Sequence, residues 1–241
     1  MPAAIVTKKL TKKFGTNIAV NELNLEIQPG EIFGLVGPDV AGKSTTMRLL
    51  STAMLPSSGE ATVLGFDVCK QEEEIRDRIG YMPQRFALYG DLTVDENINF
   101  FAEIYGVRKD ELKKKKAELL EFTGMSKFSD RRGRNLSGGM QKKLALACNL
   151  IHKPEIIMLD EPTLGVDPIS RREFWRILYG LTNVTIIVTT PYMDEAERCS
   201  RIALIREGHL LNCNTPEEIK KQYGTNNLEE AFVKAVEGKN T

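Results

Sequence analysis

Gly37-Pro38-Asp39-Val40-Ala41-Gly42-Lys43-Ser44-Thr45 is the stretch on which the fold of this chain turns. The apolar run Ile32-Phe33-Gly34-Leu35-Val36 precedes it, and a segment with Met47, Leu49 and Leu50 at helical spacing follows. Strand, glycine loop, helix is the context that a G-x-x-x-x-G-K-[ST] phosphate loop needs. In such a loop the backbone N–H groups and the first helical turn point at an anion. Glycine lets the backbone close around phosphate without a Cβ clash. Lys43 then reaches the β- and γ-phosphates, and the Ser44 hydroxyl binds Mg²⁺. Val40 is β-branched where such loops often carry glycine, so a positive φ there costs strain. Asp39 adds a carboxylate beside a site for anionic phosphates. Both residues predict weakened or altered nucleotide binding, not its loss.

Outward from the loop, the chain divides into thirds. Towards the N-terminus, residues 4–8 and 23–28 read as strands; Leu23, Leu25 and Ile27 alternate with Asn24 and Glu26. Phe14-Gly15 falls in the loop between them, where Phe14 is either a core residue or a stacking platform for a purine ring. Beyond the loop helix, Pro56-Ser57-Ser58-Gly59 reads as a turn, Ala61–Leu64 as a strand, and Gln71 opens a short helix. Ile79-Gly80-Tyr81-Met82-Pro83-Gln84 reads as a strand stopping at a proline. From Arg85 the pattern becomes helical. Thr93-Val94-Asp95-Glu96 is a capping box, a second helix runs from about Lys109 to Phe122, and a third opens at Leu136-Ser137-Gly138-Gly139. Small residues, free N–H groups and a helix dipole make Ser137, Gly138 and Gly139 a second candidate phosphate receptor.

The α/β pattern resumes at Ile156-Ile157-Met158-Leu159, a continuous apolar run expected of a buried parallel strand. Asp160-Glu161 sits at its carboxyl end. Asp160 fits the Mg²⁺-holding role, and Glu161 fits the general base that polarises an attacking water. Asp167-Pro168 starts the next helix, Val184–Val188 is a further buried strand, and Thr215-Pro216-Glu217-Glu218 caps a C-terminal helix.

Composition excludes several alternatives. With 33 basic and 33 acidic residues in 241, the formal net charge is zero, and no global field argues for nucleic acid or a membrane surface. Lys113–Lys116 is interleaved with Glu111, Glu118 and Glu121 and reads as a solvated helix face. Cys69, Cys148, Cys199 and Cys213 form no C-x-x-C pair and no disulfide framework; Cys148 reads as core packing. His152 and His209 join no ligand cluster and read as surface or structural residues. No apolar run approaches the ~20 residues of a membrane-spanning helix. Met1–Val6 lacks the apolar core of a signal peptide, so a cytoplasmic location is expected.

Together these residues resemble the nucleotide-binding domain of ATP-binding cassette (ABC) transporters, over essentially the whole chain and in order. Gly37–Thr45 looks like the Walker A loop, Leu136–Met140 like the signature motif, Ile156–Glu161 like Walker B and Leu164-Gly165-Val166-Asp167 like the D-loop. Gln84 is similar to the glutamine that senses Mg²⁺ and touches the membrane subunit, and Phe14 to the aromatic that stacks on adenine. Tyr81–Gln84, Leu92–Asn97, Tyr192–Glu197 and Leu228–Phe232 resemble the exporter-type, multidrug-resistance-like branch.

The resemblance implies one domain over 1–241. It would be an α/β P-loop NTPase (RecA-like) core with an N-terminal antiparallel β subdomain and a helical subdomain inserted at about 85–150. It implies Lys43, Gln84 and Glu161 in catalysis, and Ser44, Gln84 and Asp160 around Mg²⁺. It implies ATP held by Phe14, Gly37 to Thr45 and Asp167 together with Ser137, Gly138 and Gly139 of a second cassette. The partners implied are that second cassette, identical or not, and a membrane-spanning subunit that keeps the chain at the inner face of the membrane; no nucleic acid is expected.

The chain departs from the family at three positions. Pro191 follows Thr189-Thr190 where the family carries its switch histidine, and proline has neither a side-chain donor nor an N–H. Asp39 and Val40 are the other two. The leading expectation is an ATP-hydrolysing exporter subunit. A degenerate ATP-binding subunit with slow hydrolysis that relies on a partner cassette is the alternative. A soluble cassette ATPase of translation or DNA repair is third.

Overall fold

The structure, a computed structural model, describes residues 2–85 and 88–238. The chain opens with an antiparallel hairpin, β1 (Ile5–Phe14) and β2 (Asn17–Ile27). Both strands are longer than their alternation predicts. Lys9 and Glu22 take positive φ (47° and 44°), and the register slips between Thr7 and Leu10. Bulges of this kind break the period of two that marks a strand in sequence. Phe14 therefore ends β1 and is not a loop residue.

β3 (Ile32–Val36) leads into the phosphate loop and then α1 (Lys43–Leu50). β4 (Ser58–Val63) and β5 (Phe66–Asp67) join the hairpin in an antiparallel sheet of order β2-β1-β4-β5. The expected turn at Pro56–Gly59 is half correct, because Ser58 and Gly59 already belong to β4. α2 (Glu72–Arg76) and β6 (Ile79–Met82) follow, and β6 ends before Pro83 as expected.

The helical stretch consists of α3 (Val94–Ile104), α4 (Lys109–Phe122) and α5 (Gly138–Leu150). The Thr93 hydroxyl and the Glu96 carboxylate complete the predicted capping box on α3. Lys113 and Lys114 are solvated as expected, but Lys115 and Lys116 fold back onto Glu111 and Asp95 at 2.7 and 2.6 Å. α5 is apolar on two faces. Leu144, Ala147, Cys148 and Ile151 join Val94 and Ile98 in the helical cluster, while Ala145, Leu146 and Leu150 join Trp175 and Phe174 in the main core. Each fully buried side chain of this size contributes about 1.5–3 kcal/mol, so the two-faced helix ties the helical stretch to the sheet.

β7 (Ile156–Asp160), α6 (Pro168–Gly180), β8 (Thr185–Thr190), the one-turn α7 (Met193–Ala196), β9 (Arg201–Arg206) and β10 (His209–Asn214) complete the second sheet. Its order is β10-β9-β3-β8-β7-β6, parallel except for the antiparallel edge strand β10. β7 and β8 are buried at every residue, which is why each carries an apolar run, Ile156–Leu159 and Ile186–Val188. Where one C-terminal helix was predicted there are two, α8 (Pro216–Tyr223) and α9 (Leu228–Glu237), separated at Gly224, whose φ is 60°. The architecture is thus an α/β P-loop NTPase-like fold with an antiparallel β subdomain. The carboxyl ends of β3, β7 and β8, neighbours in the sheet, converge beside the loop. Ligands bind in this kind of crevice in parallel sheets.

Candidate functional site

Local sequence explains why the loop sits where it does. Gly42 precedes α1 with φ 102°, and a Cβ there would stand 2.3 Å from the Ala19 carbonyl oxygen. Only glycine fits this closure between α1 and β2. Val40 has φ 64° and is 92 % exposed, so the predicted strain at this position is real. The Lys43 side chain is 3 % exposed. Its ammonium donates to the carbonyls of Gly37 at 2.8 Å and Pro38 at 2.9 Å, and pairs with Glu161 Oε1 at 3.2 Å.

The acids at the end of β7 are held by neighbours. Asp160 Oδ1 accepts from Ser44 Oγ at 3.0 Å and from Thr189 Oγ1 at 2.6 Å. Gln84 Nε2 donates to Glu161 Oε2 at 2.7 Å. The Glu161 N–H donates to Thr189 Oγ1 at 2.9 Å, and Glu161 itself has φ 47°, a strained value for a non-glycine residue. Thr189 was not singled out by the sequence reading. A threonine pair closing an apolar strand was the available signal, and its hydroxyl organises both acids. Lys142, in the second turn of α5, reaches the Gln84 carbonyl at 3.4 Å. Burial pushes its ammonium below the ordinary lysine range, while Asp160 and Glu161 pull it back up.

A cavity of about 520 Å³ adjoins these groups. Asp39, Val40, Ala41, Gly42, Lys43, Ser44, Thr45, Gln84 and Glu161 line it, together with Phe14, Asn17, Ile18, Ala19 and Glu207. Phe14 is half-exposed, with the Lys12 ammonium 5.3 Å from its ring centroid. Phe14 is therefore not a buried core residue, and its ring lines the cavity. Gly37 and Pro38 stand behind the cavity and act through their carbonyls on Lys43. Hard oxygen donors suit a small divalent cation. Ser44 and Asp160, already in contact, and Gln84, which lines the same cavity as Ser44, offer oxygens of that kind, which fits Mg²⁺.

Four predicted residues lie away from this cavity. Ser137 caps α5, its hydroxyl accepting from the Met140 N–H at 3.3 Å. Gly138 is exposed, and Gly139 packs so closely on α6 that a Cβ would meet the Ser170 side chain at 2.5 Å. Asp167 caps α6, accepting from the N–H groups of Ile169 and Ser170 at 3.1 and 2.9 Å; these bonds hold its carboxyl below the usual range. Within one chain, then, Ser137, Gly138, Gly139 and Asp167 do not join the loop, and Asp167 is occupied as a helix cap. At the expected histidine position, Pro191 follows directly on β8, half-buried.

The ABC transporter family model matches residues 20–164, more than half of the chain. The chain belongs to the ABC transporter family. It is an ABC ATP-binding domain, a class of domain that hydrolyses ATP. It is 42 % identical over 239 residues to the probable multidrug ABC transporter ATP-binding protein YbhF of Escherichia coli, covering 96 % of this chain and 41 % of that protein. It thus spans less than half the length of that relative. It is 35 % identical to the linearmycin resistance ATP-binding protein LnrL of Bacillus subtilis, covering 95 % of this chain and 77 % of LnrL. It is 36 % identical to the daunorubicin/doxorubicin resistance ATP-binding protein DrrA of Streptomyces peucetius, covering 93 % and 69 %. Among solved structures, the dimeric post-hydrolysis state of the ATP-binding cassette MJ0796 bound to ADP and Pi superposes with a TM-score of 0.79 at 26 % identity, covering 88 % of this chain and 98 % of that one. Among the described residues no helix is long and apolar enough to cross a membrane.

Proposed function

We propose that this domain binds Mg²⁺-ATP against Gly37–Thr45, closes on a second cassette, and hydrolyses the nucleotide to drive a membrane-spanning exporter subunit. The observation that carries the reading is the contact chain Gln84–Glu161–Lys43 in the wall of one cavity, with Ser44 of the same wall bonded to Asp160 and, through it, to Thr189 behind. Lys43 is paired with Glu161. An incoming γ-phosphate competes for the ammonium, and its arrival frees the Glu161 carboxylate to take a proton from water. Ser44, Asp160 and Gln84 would hold Mg²⁺, which would supply positive charge to the phosphates. Phe14 carries the adenine. Ser137, Gly138 and Gly139 close the phosphates from the partner chain, which accounts for their place away from the cavity and for the exposure of Ser137 and Gly138. Relatives named for drug resistance support export. The chain then sits at the inner face of the membrane through its membrane subunit, with no nucleic acid involved.

Pro191 and the strained Val40 favour a second reading, in which the domain binds ATP but turns it over slowly and relies on a partner cassette. Nucleotide binding and steady-state ATP turnover of the purified chain separate the two. Turnover in the range of ordinary cassettes removes the slow reading. Binding without measurable turnover removes the first, and no binding at all removes both.

A further inference from the structure

Glu195, on the one-turn helix α7, takes no part in the contacts described above, yet it is 1 % exposed. A buried carboxylate is costly unless hydrogen-bonded and charge-compensated. Here its Oε1 accepts from Thr163 Oγ1, its Oε2 accepts from Thr190 Oγ1 at 2.7 Å, and the Arg171 guanidinium stands 3.9 Å away. These partners come from three segments that flank the reaction centre. Thr163 lies just beyond Glu161-Pro162. Thr190 precedes Pro191, accepts from the Tyr192 N–H at 3.1 Å, and offers its carbonyl to the Gly37 N–H at 3.4 Å. Arg171 lies in the first turns of α6, just after the Asp167 cap.

The strain at Glu161 shows what such a junction does. A non-glycine residue at φ 47° persists only where its surroundings over-determine it. On its N-terminal side Thr189 holds the Glu161 N–H. Beyond its C-terminal side the chain is held through Thr163 on Glu195. The same carboxylate fixes the turn at Pro191, which has no histidine side chain to anchor it. We propose that Glu195 is a positioning residue for hydrolysis, tying the segment that carries Glu161 to the turn that carries Pro191 so that the Glu161 carboxylate stays aimed at the γ-phosphate. This rests on the hydrolytic reading above.

The test is kinetic and structural together, on the full chain. Misplacing a catalytic group by about 1 Å costs on the order of a hundredfold, so Glu195→Ala is expected to lower kcat by roughly ten- to a hundredfold. Nucleotide affinity stays within about twofold, because loss of a group that acts only in the transition state appears in kcat and not in binding. Glu195→Gln keeps the volume and can bond both hydroxyls, so it restores most of kcat. Amide hydrogen exchange at Glu161 and Tyr192 quickens in Glu195→Ala. Should that variant fail to fold, Thr163→Val removes one donor at little change in volume and is expected to shift kcat and exchange in the same direction. An active wild type with unchanged kcat and exchange in these variants overturns the inference. So does a parallel fall of kcat and affinity, which is the mark of a merely structural role. A wild type without turnover overturns the hydrolytic reading instead, and the exchange measurement then decides the positioning role alone.

Discussion

At Gly37–Thr45 and the acids beside it, Lys43, Asp160 and Glu161 are each at most 5 % exposed, and each charged group already has partners within 3.2 Å. At Leu136–Met140 the opposite holds. Ser137 and Gly138 are exposed, and the serine hydroxyl is spent on capping its own helix. The two halves of the proposed phosphate site therefore differ in what a single chain can complete. Electrostatic preorganisation needs burial, because fixed dipoles and charges are worth most where water is excluded. The buried half can be finished by folding alone. A half that meets a partner has to remain a surface until the partner arrives.

The sharpest way to break this contrast is at its buried end. Glu161→Gln removes the base but keeps the volume and the bond from Gln84, with the amide oxygen as acceptor. Turnover is expected to fall by about 10²–10⁴-fold, the range of general-base catalysis. Nucleotide stays bound and the two-cassette state accumulates. Rapid-quench turnover with size-exclusion chromatography reads both. A variant that turns over at even a tenth of the wild-type rate removes Glu161 from the role of base.

The exposed half is tested by mixing. Lys43→Ala chains have a dead loop and an intact signature; Ser137→Ala chains have the reverse and lose an N-cap worth about 1 kcal/mol to α5. Each alone is expected to be nearly inactive. In an equal mixture of chains that pair at random, roughly half of the dimers are mixed, and each holds one intact site of two, so roughly a quarter of the wild-type rate returns. Rates that merely average the two single variants break the idea that Ser137 completes the loop of another copy.

The same contrast explains what could be read from the sequence. The buried half was legible, because burial imposes strict residue types: apolar strands, a lysine after glycine, acids at a strand end. Asp167 and the signature residues were legible as motifs, but where they point depends on tertiary packing. Gly139, for example, is small because Ser170 lies against it. The contacts of Thr189 and Glu195 were not legible, since a threonine or glutamate is unremarkable until a fold brings its partners from about 30 residues away. The full length of β1 and β2 was hidden by bulges at Lys9 and Glu22.

Pro191 stands where the family carries a histidine. It follows Thr190, whose carbonyl receives the Gly37 N–H, so the backbone here runs beside the start of the phosphate loop. Pro191→His supplies a donor for the γ-phosphate and the attacking water, and restores a backbone N–H to the turn. Turnover is expected to rise by about tenfold, below the 10²–10⁴-fold of a full acid–base group because the proposed base Glu161 is already in place. A flat response in single-turnover assays means that the wild-type site already orients its water by other groups, and the slow reading loses its main support.

The smallest expected effect lies at the loop's own strained residue. Val40 holds φ 64° with 92 % of its surface exposed, so replacing it sacrifices almost no buried apolar area. The left-handed conformation costs a residue with a Cβ about 1–2 kcal/mol, and a β-branched side chain sits at the upper end. Glycine relieves that cost but loses roughly 0.5–1 kcal/mol through the greater freedom of the unfolded chain. Val40→Gly is thus expected to stabilise the nucleotide-free chain by about 1 kcal/mol, or roughly 2–4 °C in Tm for a protein of this size. Nucleotide affinity should rise along with it, because the loop no longer stores strain at the point where phosphate docks. A Tm that falls, measured by calorimetry without nucleotide, means that Val40 makes contacts outweighing its backbone strain, and the loop is then adapted to valine and not merely tolerant of it.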